Sequence, residues 1–474
     1  MTISKERHTV EKFDVCVIGA GPGGYVAAIR AGQSGFKTAI VEKAFPGGTC
    51  LNVGCIPTKT LIAGAEVYVS ARHAADFGVE ISGEIRADWK KMLARKDEVI
   101  GKLRNGISSL LKSAGVTVFG GRGEFLSRRQ LLVASGEAAG RVIEADRFII
   151  ATGSEPLVPG FIPQGDRVLT STELLSLPKL PKSLLILGGG VIGCEFACLF
   201  AELGVEVTVV EMLPQILPHT DGECAKLLAK QMNGMGIRIL NGTPLSEIKC
   251  TARGVSGKVG PETVRAEYLL VSIGRKPVTA DLNLAAAGVK VNPRGFIEVD
   301  EAFRTSAPNI FAIGDAVGQI MLAHWASAAA ENVVNTLRGK STEFPGAITP
   351  GCIFTSPEIG TVGKSEEQLK SEGVEYVVGK FPFSALGKAM AMNQTEGFVK
   401  ILADAKSDQV LGVHIIGPHA TDLIAEAVPA MLMEITAKEL GRAIHAHPTL
   451  GEAMMEAAHA VHGECAHLPT RRKR

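Results

Sequence analysis

One pattern occurs twice in the chain, and it constrains the fold more than any other feature. The first copy starts with the apolar run "FDVCVI", passes through Gly19, Gly21 and Gly24 into a helical segment, and ends after a second apolar run at Glu42. A strand, a G-x-G-x-x-G turn, a helix and a strand that ends in an acid form the βαβ unit that binds dinucleotides. Its glycines allow a tight turn, close approach of the backbone to pyrophosphate, and close packing of helix on strand.

The second copy is the segment "SLLILGGGVIGCEFACLFAELGVEVTVVE". It repeats the glycines as Gly188, Gly190 and Gly193 and ends at Glu211. In both copies the acid follows the first glycine by 23 residues. A carboxylate accepts a hydrogen bond from a ribose 2′-hydroxyl but repels a 2′-phosphate, so the second unit is predicted to prefer NAD over NADP.

The overall composition argues against several classes of protein. The 474 residues include 50 basic and 49 acidic side chains, a balance that gives no electrostatic signature of nucleic-acid binding. No apolar run is long enough to cross a membrane, and the polar start "MTISKERHTVEK" is unlike a secretory signal. We therefore expect a cytoplasmic protein without nucleic-acid or membrane partners. The basic tail Arg471–Arg474 is expected to be a solvated end.

The segment "GGTCLNVGCIPTK" holds two cysteines, Cys50 and Cys55, among glycines. A zinc site needs about four ligands, and no second close cysteine pair at a suitable place completes one, so no metal site is predicted. Bridged cysteines need Cα atoms within about 7 Å, whereas residues five apart in a regular helix are about 8.6 Å apart. The segment must therefore bend, and a position near a helix start would favour thiolate over thiol. These features indicate a redox-active dithiol–disulfide pair.

Together these segments resemble the class I pyridine nucleotide–disulfide oxidoreductases. The resemblance covers nearly the whole chain and rests also on "ATGS", "IFAIGDAVG", "MLAHWASAAAENVV" and "HAHPTLGE". It implies that the first nucleotide unit binds FAD and the second binds NAD. It implies that Cys50 exchanges with the substrate and Cys55 with the flavin, beside an ion pair of Lys59 with Glu195. Lys59 is also an expected FAD contact, together with Gly123, Thr152, Gly153, Asp315, Met321, Leu322, Ala323 and His324, while Val191 and Gly274 are expected NAD contacts.

The motif "HAHPTLGE" supplies a candidate acid–base pair. A dithiol must lose protons before it attacks a disulfide, and a histidine supported by a carboxylate can accept one. The resemblance assigns these roles to His447 and Glu452. An alternative is that Thr449 caps the following helix and Glu452 completes a capping box, and the two interpretations are compatible. His445 is expected to be a structural or supporting histidine.

The resemblance implies an α/β fold with two Rossmann-like dinucleotide-binding domains and a C-terminal α+β dimerisation domain. The expected division is an FAD-binding domain at residues 1–150, an NAD-binding domain at 151–280, a central domain completing the FAD site at 281–350, and a dimerisation domain at 351–474. In such a homodimer, His447 of one subunit is expected to serve Cys50 of the other.

The most specific expectation is an enzyme that oxidises protein-bound dihydrolipoyl groups to lipoyl disulfide and reduces NAD. Glu211 without a following arginine, and a single Cys465 in the tail, favour this activity over related reductases that use NADP or mercuric ion. The expected partners are lipoylated acyltransferases of 2-oxo acid dehydrogenase complexes or the lipoylated carrier of glycine cleavage. The alternatives are an NADH-driven reductase of another disulfide and a regulatory flavoprotein with a vestigial site.

Overall fold

A computed structural model describes residues 10–340 and 343–469. The basic tail Arg471–Arg474 lies outside these residues. The first nucleotide unit consists of β1 (Val10–Ile18), α1 (Pro22–Gln33), β2 (Thr38–Glu42), α2 (Gly48–Val53), α3 (Cys55–Arg72), α4 (Trp89–Ser113), β3 (Thr117–Gly120), β4 (Gly123–Ser127), β5 (Gln130–Val133) and β6 (Val142–Ile150).

The second nucleotide unit follows directly. It contains β7 (Ser154–Pro156), β8 (Val168–Leu169), α5 (Ser171–Leu174), β9 (Ser183–Leu187), α6 (Val191–Glu202), β10 (Glu206–Glu211), α7 (Gly222–Gly234), β11 (Arg238–Asn241), β12 (Leu245–Thr251), β13 (Gly254–Val259), β14 (Glu262–Ala266), β15 (Tyr268–Val271) and β16 (Arg275–Pro277).

A short segment then returns to the first sheet, and an α+β region ends the chain. The returning elements are α8 (Leu284–Ala287), β17 (Ile310–Ala312) and α9 (Ala323–Leu337). The terminal region contains β18 (Gly351–Ile353), β19 (Glu358–Gly363), α10 (Glu366–Glu372), β20 (Tyr376–Pro382), α11 (Gly387–Ala391), β21 (Phe398–Asp404), β22 (Val410–Gly417), α12 (Ala420–Leu432), α13 (Ala437–Arg442) and α14 (Glu452–Val461).

Both nucleotide units are built on sheets whose central strands are parallel. In the first sheet, β5 and β4 add an antiparallel edge beside β6. The first sheet has the order β3-β2-β1-β6-β5-β4, and β17 pairs with β6. The second has the order β11-β10-β9-β15-β8, and all its pairings are parallel. Helices cover such sheets, so the carboxyl-terminal parts of β1, β6 and β9 are buried and read as apolar runs. The expected α/β class is confirmed, while the four domain boundaries stay a prediction.

The topology gathers distant segments at one edge of the first sheet. The strands β1, β6 and β17 are parallel neighbours in the order β1-β6-β17, so their carboxyl ends meet at the same edge. The turns that leave these ends carry Gly19, Thr152 and Asp315. Ligands of open α/β sheets bind at this edge. Within the described part of the chain, no helix has the length and apolarity needed to cross a membrane.

A buried ion cluster ties the C-terminal sheet to the second nucleotide unit. Lys400 on β21 is 1% exposed, and its Nζ lies 2.9 Å from Asp221 Oδ2 and 3.0 Å from Glu223 Oε2, beside Glu366. Asp221 is fully buried and caps α7 by accepting the Glu223 N–H at 3.1 Å. Lys400 of the C-terminal region therefore neutralises Asp221, the carboxylate that caps α7 in the second nucleotide unit.

We predict that Lys400→Met strongly destabilises the protein. The substitution leaves Asp221 buried without its cation, and breaking a buried ion pair from one side costs about 3–5 kcal/mol. Urea denaturation of wild type and variant measures the loss. Lys258→Met, which removes an exposed ion pair with Glu247, is the control and should leave the midpoint nearly unchanged. Equal midpoints for Lys400→Met and the control would contradict the role of the cluster.

Candidate active site

The two glycine turns have the same geometry in both nucleotide units. Gly19 has φ +96° and Gly188 has φ +107°, in the left-handed region that favours glycine. A Cβ on Gly24 would lie 1.8 Å from the Gly19 carbonyl oxygen, and one on Gly193 would lie 2.0 Å from that of Gly188. Any larger residue at these four positions would displace the backbone of the turn.

The middle glycine of each turn faces open space. Gly21 is the N-cap of α1 and Gly190 is the N-cap of α6, and no side chain caps either helix. A Cβ on either residue would meet no heavy atom within 4 Å. An uncapped helix start with room in front of it suits a phosphate, because its N–H groups point outward and the helix dipole favours negative charge. The residues of both units therefore fit a dinucleotide pyrophosphate.

The acid at the end of each unit is held in the same way. Glu42 and Glu211 each accept two backbone N–H groups, one per carboxylate oxygen, at 2.6–2.8 Å. One donor follows the first glycine of the turn, and the other lies two residues after the acid. The four donors are Ala20, Ala44, Gly189 and Leu213. The carboxylates are thus fixed at the strand ends, next to the glycine turns.

The segments that follow β6 and β17 carry polar side chains that, in the described part of the chain, either lack a hydrogen-bond partner or bond to each other. The Thr152 hydroxyl is buried and has no hydrogen-bond partner among the described residues. Ser154 donates to Asp315 Oδ2, and Arg275 Nε donates to the Ser154 hydroxyl at 2.6 Å. A buried orphan hydroxyl is rare and is satisfied by a ligand or water, so Thr152 fits an FAD site. The sequence patterns did not indicate Ser154 or Arg275, which lie 121 residues apart in the chain.

The remaining expected contact residues lie at separate places. Gly123 opens β4 and packs against Leu131, whereas its neighbour Gly121 donates to the Glu42 carbonyl oxygen at 2.8 Å. The segment Met321–His324 leads into α9, and His324 Nε2 lies 2.8 Å from the Pro350 carbonyl oxygen. Gly153, between β6 and β7, has φ +70°, and Gly274, between β15 and β16, has φ +130°.

The cysteine segment bends between two helices, as its spacing requires. Cys50 lies in α2, Cys55 is the first residue of α3, and Gly54 separates the helices. A Cβ on Gly54 would lie 2.9 Å from the Thr49 carbonyl oxygen. Glycine therefore permits the sharp break that brings two cysteines five residues apart into side-chain contact.

The two thiols share a hydrogen bond that distinguishes them chemically. The bond donated by Cys50, aided by the charge of Lys59, lowers the pKa of Cys55 to about 7 against the effect of burial. The same bond and burial raise the pKa of Cys50. When the pair is reduced, Cys55 therefore holds the thiolate and Cys50 holds the proton.

Lys59 is fixed by a buried carboxylate from another helix. Its Nζ lies 2.8 and 2.7 Å from the two oxygens of Glu195, which is 4% exposed on α6. The Phe354 N–H donates to Glu195 Oε1 at 3.0 Å, and the Phe354 ring lies 4.6 Å from Lys59 Nζ. These contacts hold a positive charge close to Cys55.

A cavity of about 280 Å³ adjoins Cys50. Its lining is mostly apolar and comes from α1, the cysteine segment, α4 and the start of α9. The residues are Pro22, Tyr25, Gly47, Cys50, Leu51, Ile56, Leu103, Ile107, Ala323, His324 and Ser327. Sequence reasoning missed Tyr25, Leu103 and Ile107, because helical periodicity does not show which apolar side chains line a cavity. Cys50 therefore faces a space suited to an aliphatic substrate.

His447 and Glu452 are paired at the other end of the chain. His447 Nδ1 lies 2.9 Å from Glu452 Oε1, and its side chain is 80% exposed. Burial alone would raise the pKa of Glu452, but the Thr449 N–H and the His447 ring hold that pKa below its usual value. Neither His447 nor Glu452 is among the residues that line the cavity beside Cys50.

Of the capping box offered as an alternative at this helix, only the contact made by Glu452 is present. The N-cap of α14 is Gly451, and no side chain caps the helix. The Thr449 hydroxyl instead donates to the Ala446 carbonyl oxygen at 2.7 Å, which leaves only the backbone N–H of Thr449 to contact Glu452. The contact with Ala446 lies within the loop, so the hydroxyl stabilises the loop rather than the helix.

Comparison with known proteins extends over both halves of the chain. Residues 13–330 match the family described as pyridine nucleotide-disulphide oxidoreductase, and residues 349–458 match its dimerisation domain. The dihydrolipoyl dehydrogenase of Chlamydia muridarum is 43% identical over 98% of this chain and all of its own length. That of Bacillus subtilis is 41% identical over 96% of this chain and 99% of its own length.

Solved structures give the same assignment. LpdA from Mycobacterium tuberculosis superposes with a TM-score of 0.87 at 29% identity, covering 94% of this chain and 99% of its own. The HOCl-induced flavoprotein disulfide reductase RclA from Escherichia coli, as its Cu(II) complex, gives 0.86 at 29% identity with the same coverage. The dimerisation-domain match supports a homodimer. The chain belongs to the pyridine nucleotide-disulphide oxidoreductase family.

Proposed function

We propose that the protein oxidises protein-bound dihydrolipoyl groups to lipoyl disulfide and reduces NAD to NADH. The observation that carries the proposal is the Cys50–Cys55 pair, in which Cys50 faces an apolar cavity and Cys55 is the stabilised thiolate. A lipoyl chain is aliphatic and ends in a dithiol, so it suits both the lining and the chemistry. The relatives named dihydrolipoyl dehydrogenase, at 41–43% identity over nearly the full chain, support this substrate.

The enzyme uses FAD and NAD. The first nucleotide unit, with Glu42, Thr152 and Asp315, is the proposed FAD site, and the second unit, with Glu211, is the proposed NAD site. Bound FAD would carry the electron pair from the enzyme thiols to NAD. The expected division into residues 1–150, 151–280, 281–350 and 351–474 is retained as part of the proposal.

The thiol chemistry follows from the pKa difference. A substrate thiol loses its proton to His447 and attacks Cys50 Sγ of the oxidised pair. The Cys50–Cys55 bond breaks, and Cys55 leaves readily because a low thiol pKa makes a good leaving group. The second substrate thiol attacks the substrate sulfur bound to Cys50 and gives its proton to the departing Cys50 sulfur. It closes the substrate disulfide and leaves the enzyme pair reduced by two electrons.

The proposed acid–base is oriented by its carboxylate. With Nδ1–H donated to Glu452, the Nε2 atom of His447 is free to accept the substrate proton. His447 is exposed and does not line the cavity of its own chain. We therefore propose that His447 of each subunit serves Cys50 of the other in the homodimer. Glu195 holds the Lys59 ammonium near the other thiol of the pair, Cys55, where its charge favours the thiolate.

The proposed partners are lipoylated proteins of metabolic complexes. They are the acyltransferases of 2-oxo acid dehydrogenase complexes or the carrier protein of glycine cleavage. A cytoplasmic, reducing setting is proposed because no structural disulfide joins any of the nine cysteines, all of which lie within the described residues.

Steady-state assays test the function directly. Dihydrolipoamide, glutathione disulfide and mercuric ion are each offered with the appropriate NAD or NADP form. The proposal expects the highest kcat/KM for dihydrolipoamide with NAD. A higher value for glutathione disulfide or mercuric ion would assign the protein to another activity of its family.

We predict that thiol counting isolates the reactive pair. Oxidised wild-type protein, denatured without reductant, should show two fewer titratable thiols than the nine found after reduction. Cys50→Ser and Cys55→Ser should each show eight thiols before and after reduction, because neither has a partner left to oxidise. Cys250→Ser, which changes a half-buried cysteine on β12, should keep the difference of two. A persisting difference in Cys50→Ser would mean that another pair is oxidised.

We predict that Glu211 sets the nucleotide preference. Glu211→Arg should lower kcat/KM for NAD by roughly 10- to 150-fold, the worth of a hydrogen bond to a charged group, and should raise it for NADP. Glu206→Arg, an exposed position on the same strand, is the matched control and should change neither value. Equal wild-type efficiencies with NAD and NADP would refute the assignment of the second unit.

A further inference from the structure

The loop that carries His447 is anchored by one neighbouring side chain. The loop runs from residue 443 to 451, between α13 and α14. Five of its first six residues are exposed: Ala443, Ile444, Ala446, His447 and Pro448. The exception is His445, whose side chain is only 10% exposed. The ring of His445 is therefore the point where this exposed stretch meets the body of the protein.

Both nitrogens of that ring contact oxygen atoms. His445 Nδ1 lies 2.9 Å from the Ala443 carbonyl oxygen, and Nε2 lies 2.7 Å from Glu426 Oε1 on α12. A carbonyl oxygen and an ionised carboxylate can only accept hydrogen bonds, so both bonds form when both ring nitrogens carry protons. The bond to Glu426 is then charge-assisted, which makes it stronger than a neutral hydrogen bond.

The far side of the loop has its own anchor. The Thr449 hydroxyl bonds to Ala446, and the Thr449 N–H bonds to Glu452 at the start of α14. His447 thus lies between a clamp on its N-terminal side, made by His445 with Glu426, and one on its C-terminal side, made by Thr449. The contact with Glu452 orients the His447 ring, whereas the two clamps fix the backbone from which the ring projects.

We propose that His445, held by Glu426, is a positioning residue for His447, and this rests on the proposed function. His445 touches no reacting atom in this account. It fixes the backbone two residues before the acid–base, so that Nε2 of His447 meets the substrate thiol at hydrogen-bond distance. Displacing a catalytic group by about 1 Å can cost about 100-fold in rate, so a contact of this kind has a measurable effect.

Two conservative substitutions separate the two contacts of the ring. The amide nitrogen of His445→Asn occupies a place like that of Nδ1 and can keep the bond to Ala443, but it cannot reach Glu426. The amide nitrogen of His445→Gln resembles Nε2 and can keep the bond to Glu426. If the link to α12 is the effective one, His445→Gln retains more dihydrolipoamide oxidation than His445→Asn. Glu426→Gln, which keeps an acceptor oxygen without its charge, should fall between wild type and His445→Ala.

The decisive comparison uses two activities and two backgrounds. His445→Ala should lower kcat/KM for dihydrolipoamide with NAD by about 10- to 100-fold. NADH-driven reduction of ferricyanide uses the nucleotide and flavin sites without the acid–base, and it should stay unchanged. In a His447→Gln background, His445→Ala should cause no further loss, because a positioning residue acts only through the residue it positions.

A matched control distinguishes positioning from general stability. His462→Gln removes a histidine–carboxylate contact of the same region, since His462 Nε2 lies 3.1 Å from Asp408 Oδ1. It should change neither activity. The proposal is overturned if His445→Ala lowers both activities equally, lowers dihydrolipoamide oxidation by the same factor in both backgrounds, or has no larger effect than His462→Gln. Wild-type protein that fails to oxidise dihydrolipoamide would instead overturn the proposed function, and this inference with it.

Discussion

The hydrogen bond between the thiols of Cys50 and Cys55 is the contact on which the rest of the site depends. It requires the break at Gly54, because one regular helix would keep the two residues too far apart. It makes the thiols unequal, with Cys55 as the thiolate. Lys59 reinforces that inequality and is held by the buried carboxylate of Glu195, on a helix of the second nucleotide unit. The cavity beside Cys50 then gives substrate access to the thiol that must exchange.

Local backbone requirements were predictable from the sequence. The positive φ of Gly19 and Gly188 and the contacts that exclude a Cβ at Gly24 and Gly193 are properties of one turn type, so a short pattern reports them. The positions of Glu42 and Glu211 at the strand ends were predictable for the same reason, because the acid belongs to the same βαβ pattern. The bend between the cysteines followed from helix geometry alone, without knowledge of the surrounding fold.

Contacts made between distant segments were not predictable from local patterns. Ser154 and Arg275 meet at Asp315 only because β7 pairs with β16, which places them beside the end of β17. The sequence around Lys400 indicates only a lysine within a strand. Its buried ion pair with Asp221 arises because β21 packs against the start of α7. Thr449 had two backbone targets within reach, and the loop geometry selected the Ala446 carbonyl over the helix start.

The central claim is that each active site combines Cys50 of one subunit with His447 of the other. Mixed dimers with Cys50→Ser in one chain and His447→Gln in the other test it, because neither parent homodimer should oxidise dihydrolipoamide efficiently. With shared sites, both lesions fall in one site and the other is intact, so about half of the wild-type activity should return, given one intact site of two. Purified mixed dimers that stay nearly inactive would show that each chain completes its own site and would contradict the account.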